Sequence, residues 1–194
     1  MRVRVLVATY LVVAAGAAAT VLALRATLAH PDPWLALAPW SAHLVSAAGG
    51  LALAASVVAW SRWSLRLAVA RELADALAPA TRAIAPGQIV LVAVLSGLGE
   101  ELLFRALLAP YLGVIASSVL FASLHQVRGR ARWLWMTSSL VVGVALALLY
   151  RATGSLVGPV VAHALINALN LRHLRGLRAA RPRRAEGLLA ARPT

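Results

Sequence analysis

Residues 88–109 read QIVLVAVLSGLGEELLFRALLA, and this stretch decides the fold. A hydrocarbon core of about 30 Å takes about 20 apolar residues per helix, so the run is long enough to cross a bilayer. Yet it carries Glu100, Glu101 and Arg105 well inside it. An ionisable side chain in the middle of a membrane helix costs about 2.5–3.5 kcal/mol on insertion scales, so such groups face a bundle interior and usually serve a function. The run therefore predicts an all-α, polytopic membrane helix bundle with a polar site inside it. Glu101 and Arg105 stand at i and i+4, the spacing at which a carboxylate and a cation meet on one helix face. Glu100 lies about 100° further round. The simplest division of labour makes Glu101 and Arg105 a structural ion pair and leaves Glu100 as the reactive carboxylate.

Working outward, the whole chain has the composition of a membrane protein. Of its 194 residues 61% are hydrophobic and only 13% charged, against about 45–50% and about 25% in soluble domains. Apolar runs at 3–28, 40–60, 88–109, 112–127, 132–150 and 155–171 predict about six transmembrane helices. Met1-Arg2-Val3-Arg4 ahead of the first run resembles a signal peptide, but the run extends past Leu24 without a good cleavage site, so a retained first helix is expected. The net charge is +13 and every strongly basic residue is an arginine. A pI near 12 ordinarily points to nucleic acid, but here the arginines fall between the spans, and no nucleic-acid partner is expected.

Their distribution sets the orientation. Arg2 and Arg4, then Arg62, Arg66, Arg71 and Arg82, then Arg128, Arg130 and Arg132, and finally the arginines of the tail all lie on one side of a six-span topology. Cytoplasmic loops carry the excess of arginine, so both termini are expected in the cytoplasm, with the protein in a bacterial inner membrane. The opposite connections hold only Arg151, after Tyr150, and five spans would break the parity. A single integral membrane domain over 1–171 is expected, followed at 172–194 by an Arg-rich cytoplasmic tail that rests on anionic headgroups or stays disordered. Residues 61–79 set Trp63, Leu67, Ala70, Leu73 and Leu77 against Arg62, Arg66, Arg71, Glu72 and Asp75. They form either an amphipathic helix in the cytoplasmic interface or a solvated loop helix. With no cysteine there is no disulfide, thiolate zinc site or cysteine nucleophile.

Two further spans carry polar groups. Phe121 and His125 are one helical turn apart near the end of the fourth, and His163 and Asn167 share a face of the sixth, with Asn170 extending the stripe. If these helices pack together, one pocket holds Glu100, His125, His163 and Asn167. The blander readings are helix-to-helix hydrogen bonding and a proton or ion relay in a transporter. His43, near the start of the second span, His30 in an outside loop and His173 in the tail stand apart from this cluster. At 1.5 Å per residue, Glu100 and His163 fall nearer the outer half, whereas His125 falls near the cytoplasmic end of its span, so some limits are wrong or the helices tilt. Pro110 is expected to end the third span and permit a tight turn, and Pro159 to sit harmlessly in the first turns of the sixth.

Glu100-Glu101-x-x-x-Arg105, Phe121-x-x-x-His125 and His163-x-x-x-Asn167, taken in order, resemble the three signature motifs of the CPBP intramembrane protease family, which groups CAAX prenyl proteases with bacteriocin-processing and Abi proteins. Gly143, Tyr150 and Thr153-Gly154-Ser155-Leu156 resemble that family's lead-in to its last motif, and the resemblance covers about residues 88–170. It implies an intramembrane endopeptidase of glutamate type. Glu100, helped by His125, would activate a water that attacks the scissile carbonyl. His163 and Asn167 would donate to the developing oxyanion. Glu101, Arg105 and Phe121 would support the site. The substrate would be a membrane-associated protein or peptide: a prenylated tail, a leader peptide or a C-terminal sorting tail. Zinc is the cofactor to weigh, but there is no His-Glu-x-x-His helix and Asn167 is a poor ligand, so no cofactor or metal is expected. The alternative is a non-catalytic membrane scaffold or a small proton-coupled transporter. A site opening towards the cytoplasmic leaflet is expected.

Overall fold

The computed structural model describes residues 3–26 and 38–177, and among them the chain is helical without strands. His30, the rest of the first connection and residues 178–194 of the tail lie outside the described residues. In order, the helices are α1 (Val3–Ala26), α2 (Trp40–Ser64), α3 (Ala68–Arg82) and α4 (Pro86–Glu101), then a π-helical segment (Leu102–Leu108), α5 (Ala109–Ser123), α6 (Ala131–Thr153) and α7 (Val157–Gly176). Four stretches are long and apolar enough to cross a membrane: Val3–Leu24, Trp40–Ser64, Pro86–Ser123 and Ala131–Thr153. The protein is a helical membrane bundle.

Two differences from the six-span expectation have physical causes. The stretch Pro86–Ser123 has 38 residues, roughly 57 Å of helix at about 1.5 Å each, nearly twice a bilayer core. It is broken at Gly113, whose φ of 78° and ψ of 168° no helix contains. The expected fourth span, 112–127, is thus a short helix from Val114 to Ser123, roughly half the length needed to cross. The turn falls at Gly113 and not at Pro110, where the helix continues. A proline clashes with the carbonyl four residues back in an α-helix. Immediately before Pro110 the chain is π-helical, with the Ala109 N–H bonded to the Phe104 carbonyl, and the wider turn makes room. The second difference is α7, which forms as expected but is too polar to count as a span by composition, since His163, Asn167, Asn170, Arg172, His173 and Arg175 all lie along it.

Helix α7 is the centre of the bundle, packed on α2 and α4 and touching α3 and α6. Helix α1 packs on α4 and the π segment, and α5 on α6. Between bilayer helices there is little hydrophobic drive, so close contact depends on small residues and interhelical hydrogen bonds. The α2–α7 crossing is built that way. A Cβ on Gly50 would overlap the Gly158 carbonyl, and one on Gly158 would overlap the Ser46 backbone. Ser46 Oγ donates to the Ser155 carbonyl at 3.0 Å and accepts the Gly158 N–H at 2.9 Å. His43 is not isolated: its Nδ1 lies 2.7 Å from Ser155 Oγ, at the start of the same helix. Pro159 falls in the first turn of α7, where its missing N–H leaves no bond unmade.

The segment read as an amphipathic helix divides in two. Helix α2 runs on to Ser64, and α3 buries a stripe of Ala70, Ala74, Ala78 and Thr81 against α6 and α7. Arg130 holds Glu72 with two hydrogen bonds, and Arg175 of α7 donates to the Arg82 and Ile84 carbonyls at 2.8 and 2.5 Å. These contacts gather the arginine-bearing ends of α2, α3, α6 and α7 at one end of the molecule.

Candidate active site

Helix α4 begins with Pro86 in its first turn and the Gln88 side chain accepting the Ala85 N–H at 3.1 Å, which sets the register that carries Glu100 and Glu101 to its far end. Glu101 is fully buried and doubly held. One carboxylate oxygen is 3.1 Å from Arg105 Nε, and the other is 2.7 Å from His163 Nδ1. Arg105, 1% exposed, donates through Nη2 to the Gly143 carbonyl of α6 at 3.1 Å and lays its guanidinium over the Phe121 ring, 4.5 Å from the centroid. Gly143 allows this, since a Cβ there would stand 3.1 Å from the Phe121 ring and 3.5 Å from Arg105. The expected Glu101–Arg105 pair is present, and the structure adds His163 as its third member.

Glu100 takes a different position. Its Oε2 is buried without a hydrogen-bond partner and faces His163 Nε2 at 3.8 Å. His163 therefore stands between two carboxylates, with Nδ1 bonded to Glu101 and Nε2 turned to Glu100. The hydrogen bond at one ring nitrogen fixes which nitrogen is left for chemistry, and here that is Nε2.

Phe121 joins the second motif to the other two. Its ring meets His163 edge-on at 5.7 Å, Phe104 at 5.3 Å and His125 at 4.7 Å. His125 lies just past the end of α5, not within a span, and its Nδ1 bonds the Phe121 carbonyl at 2.9 Å. Trp135 of α6 packs against the other side of the imidazole, 5.4 Å between centroids. The depth conflict is thereby resolved. A short α5 ends where Phe121 packs against both His125 and His163, a place that a full-length span would overshoot.

Asn167 is one turn beyond His163, and its amide donates to Ser96 Oγ at 2.9 Å. Ser96 stands one turn before Glu100 on α4, so the two polar pairs stack along the α4–α7 contact. Asn170 bonds Ser61 of α2 at 3.3 Å, apart from the site. Ser96 and Trp135 join the site without any motif to announce them. Ser96 alone had a signal, the i, i+4 spacing to Glu100. Among the described residues no three His, Asp or Glu side chains are placed to hold a metal ion.

Residues 82–169 match the family model described as type II CAAX prenyl endopeptidase Rce1-like. Over 81 residues the chain is 35% identical to the uncharacterized protein YpbD of Bacillus subtilis (strain 168), a stretch that covers 42% of this chain and 42% of that protein. The chain thus spans less than half the length of that curated relative. No solved structure matches.

Proposed function

From the match of residues 82–169 to the Rce1-like type II CAAX prenyl endopeptidase family model, we propose that this protein is an intramembrane endopeptidase of glutamate type. Glu100, with His125 assisting, takes a proton from a water as that water attacks the scissile carbonyl. His163, which gives its Nδ1–H to Glu101 and donates from Nε2 as the imidazolium, then joins the Asn167 amide on the oxyanion, and the proton taken from water passes to the leaving amine. General base catalysis and preorganised oxyanion donors are the two contributions such a site supplies. No metal takes part in this reading. Its substrate is a membrane-associated protein or peptide with a prenylated tail, a leader or a C-terminal sorting tail. The arginine-rich end faces the cytoplasm of a bacterial inner membrane, with both termini on that side.

One observation carries the reading: of two adjacent glutamates, Glu101 is ion-paired with Arg105 at 3.1 Å and bonded to His163 at 2.7 Å, whereas the buried Oε2 of Glu100 makes no hydrogen bond and has His163 Nε2 only at 3.8 Å. A buried polar group left unsatisfied costs about 1–3 kcal/mol and calls for a functional explanation. A reacting water or a peptide carbonyl gives one.

The test compares membrane-proteome termini in the native host carrying the wild-type protein or Glu100→Ala, with His163→Ala alongside. Glu100→Ala should accumulate in the membrane as the wild type does, and His163→Ala at a lower level because buried Glu101 loses a hydrogen bond, while in both a defined set of termini shifts. Chelators should leave wild-type cleavage intact. Processing at the wild-type rate in either variant would overturn the assignment, and unchanged termini with all proteins present would favour a scaffold or a proton-coupled transporter.

A further inference from the structure

Resting on the reading of Asn167 as an oxyanion donor, a residue of α4 that no motif marks acquires a part in the reaction. Helices α4 and α7 meet in two polar rungs, Glu101 with His163 and, about one turn away along each helix, Ser96 with Asn167. Between the rungs the two backbones come close, since a Cβ on Gly97 would stand 3.1 Å from the Ala164 nitrogen. That approach brings the side chain of Ser96 within reach of α7. Ser96 is only 2% exposed, so its hydroxyl has to be satisfied inside the protein.

Counting hydrogens decides which way the Asn167 amide faces. A serine hydroxyl has one hydrogen to give, and a backbone carbonyl can only accept. Ser96 Oγ lies 3.2 Å from the Ala93 carbonyl oxygen of its own helix and spends its hydrogen there, a common habit of serine inside helices. What it turns to α7 is therefore a lone pair, and the group 2.9 Å away is the donating nitrogen of Asn167. An amide turned end for end has nearly the same shape, so packing alone cannot choose between its nitrogen and its oxygen. Ser96 does choose. The reversed amide would set oxygen against oxygen, or make Ser96 give up the Ala93 carbonyl. With one amide hydrogen spent on Ser96, the second is left to donate elsewhere.

We propose that Ser96 is a positioning residue for the oxyanion donor: by accepting one hydrogen of the Asn167 amide, it holds the other in the orientation that the oxyanion needs. An Asn167 turned the other way would present its carbonyl oxygen to the developing negative charge and oppose the reaction. Ser96 itself touches neither the water nor the substrate and acts only through Asn167. A serine that merely tied α4 to α7 would affect how firmly the helices hold together, whereas a positioning serine affects the transition state and depends on Asn167 for its effect.

The experiment uses the full chain in detergent, a substrate found by the termini comparison, and Ser96→Ala, which removes only the hydroxyl. Expected are KM within about twofold of wild type and kcat per folded molecule lowered about tenfold, short of the loss of about a hundredfold or more expected when the donor itself goes in Asn167→Ala. Combined with Asn167→Ala, Ser96→Ala should cost nothing further, because a residue that acts through another has no effect once the other is gone. A wild-type kcat per folded molecule in Ser96→Ala would overturn the proposal, and a lowered melting temperature beside it would make Ser96 a tie between helices. A loss of about tenfold that persists in the Asn167→Ala background would overturn it too, since Ser96 would then act by another route. Glu100→Ala is run beside these variants. Wild-type cleavage in Glu100→Ala or Asn167→Ala sinks the underlying reading of the site, whereas inactive Glu100→Ala and slowed Asn167→Ala beside an unaffected Ser96→Ala sink only the role of Ser96.

Discussion

Arg105 shows how one side chain can bind several elements at once. Its Nε holds Glu101, its Nη2 reaches the Gly143 carbonyl of α6, and its flat face covers Phe121 of α5. Only a guanidinium combines a planar fork of donors with stacking on a ring, so lysine is no substitute. Breaking a buried ion pair by removing one partner costs about 3–5 kcal/mol, because the remaining charge is left uncompensated. Arg105→Ala should therefore lose most of its accumulation in the membrane, and Arg105→Lys should melt at a lower temperature in detergent. Wild-type levels and melting in Arg105→Ala would mean that the pair is not structural. The Glu101–Arg105 contact was legible from its i, i+4 spacing alone. The bond from His163 to Glu101 was not, because the spacing of His163 and Asn167 tells which residues share a face of α7 but not what that face meets.

At the level of elements, the sequence announced the helices better than their ends. The third span and its polar cluster were readable from apolarity and helical spacing. The position of the following turn was not: Pro110 carries the strongest breaking signal, while Gly113, which makes the turn, has an ordinary look in an apolar run. What decides between them is the π segment Leu102–Leu108, which accommodates the proline and which no local pattern marks. A φ near 78° with ψ near 168° belongs to a region almost restricted to glycine, and a residue forced into it costs of order 1–3 kcal/mol. Nothing lies within 4 Å of a Cβ built at Gly113, so the cost is one of backbone alone. Gly113→Ala should lower the stability of the purified protein by about 1–3 kcal/mol and, by misplacing α5 and hence His125, slow cleavage in the fraction that remains folded. Detergent melting and single-turnover cleavage measure the two effects separately. An alanine that melts as the wild type would show that the turn can move to Pro110, and would remove the reason for the short α5.

The whole molecule is organised around α7, and its two faces divide stability from chemistry. One face presents Gly158 to α2, with Ser46 and Ser155 making the interhelical hydrogen bonds. Further along, His163 and Asn167 meet α4 at Glu101 and Ser96. The apolar cluster of Ala54, Leu146, Ala162 and Ile166 lies between these contacts and ties α2, α6 and α7 together. A shift of α7 against α2 must therefore move His163 relative to the glutamates, since His163 is only five residues, about 7.5 Å, from Gly158 on one rigid helix. Gly158→Ala tests that coupling, because the added methyl would overlap the Ser46 backbone, which has no flexible end to yield. Overpacking of this kind costs about 1–3 kcal/mol or more where the backbone must move. The expected outcome is a joint loss: accumulation and detergent melting fall, and cleavage per folded molecule falls with them. Glu100→Ala, by contrast, should lose cleavage alone, so the two variants measured together separate a damaged scaffold from a missing base. If Gly158→Ala melts lower yet cleaves at the wild-type rate per folded molecule, α7 can part from α2 without disturbing His163, and the site is held by α4 and α6 instead.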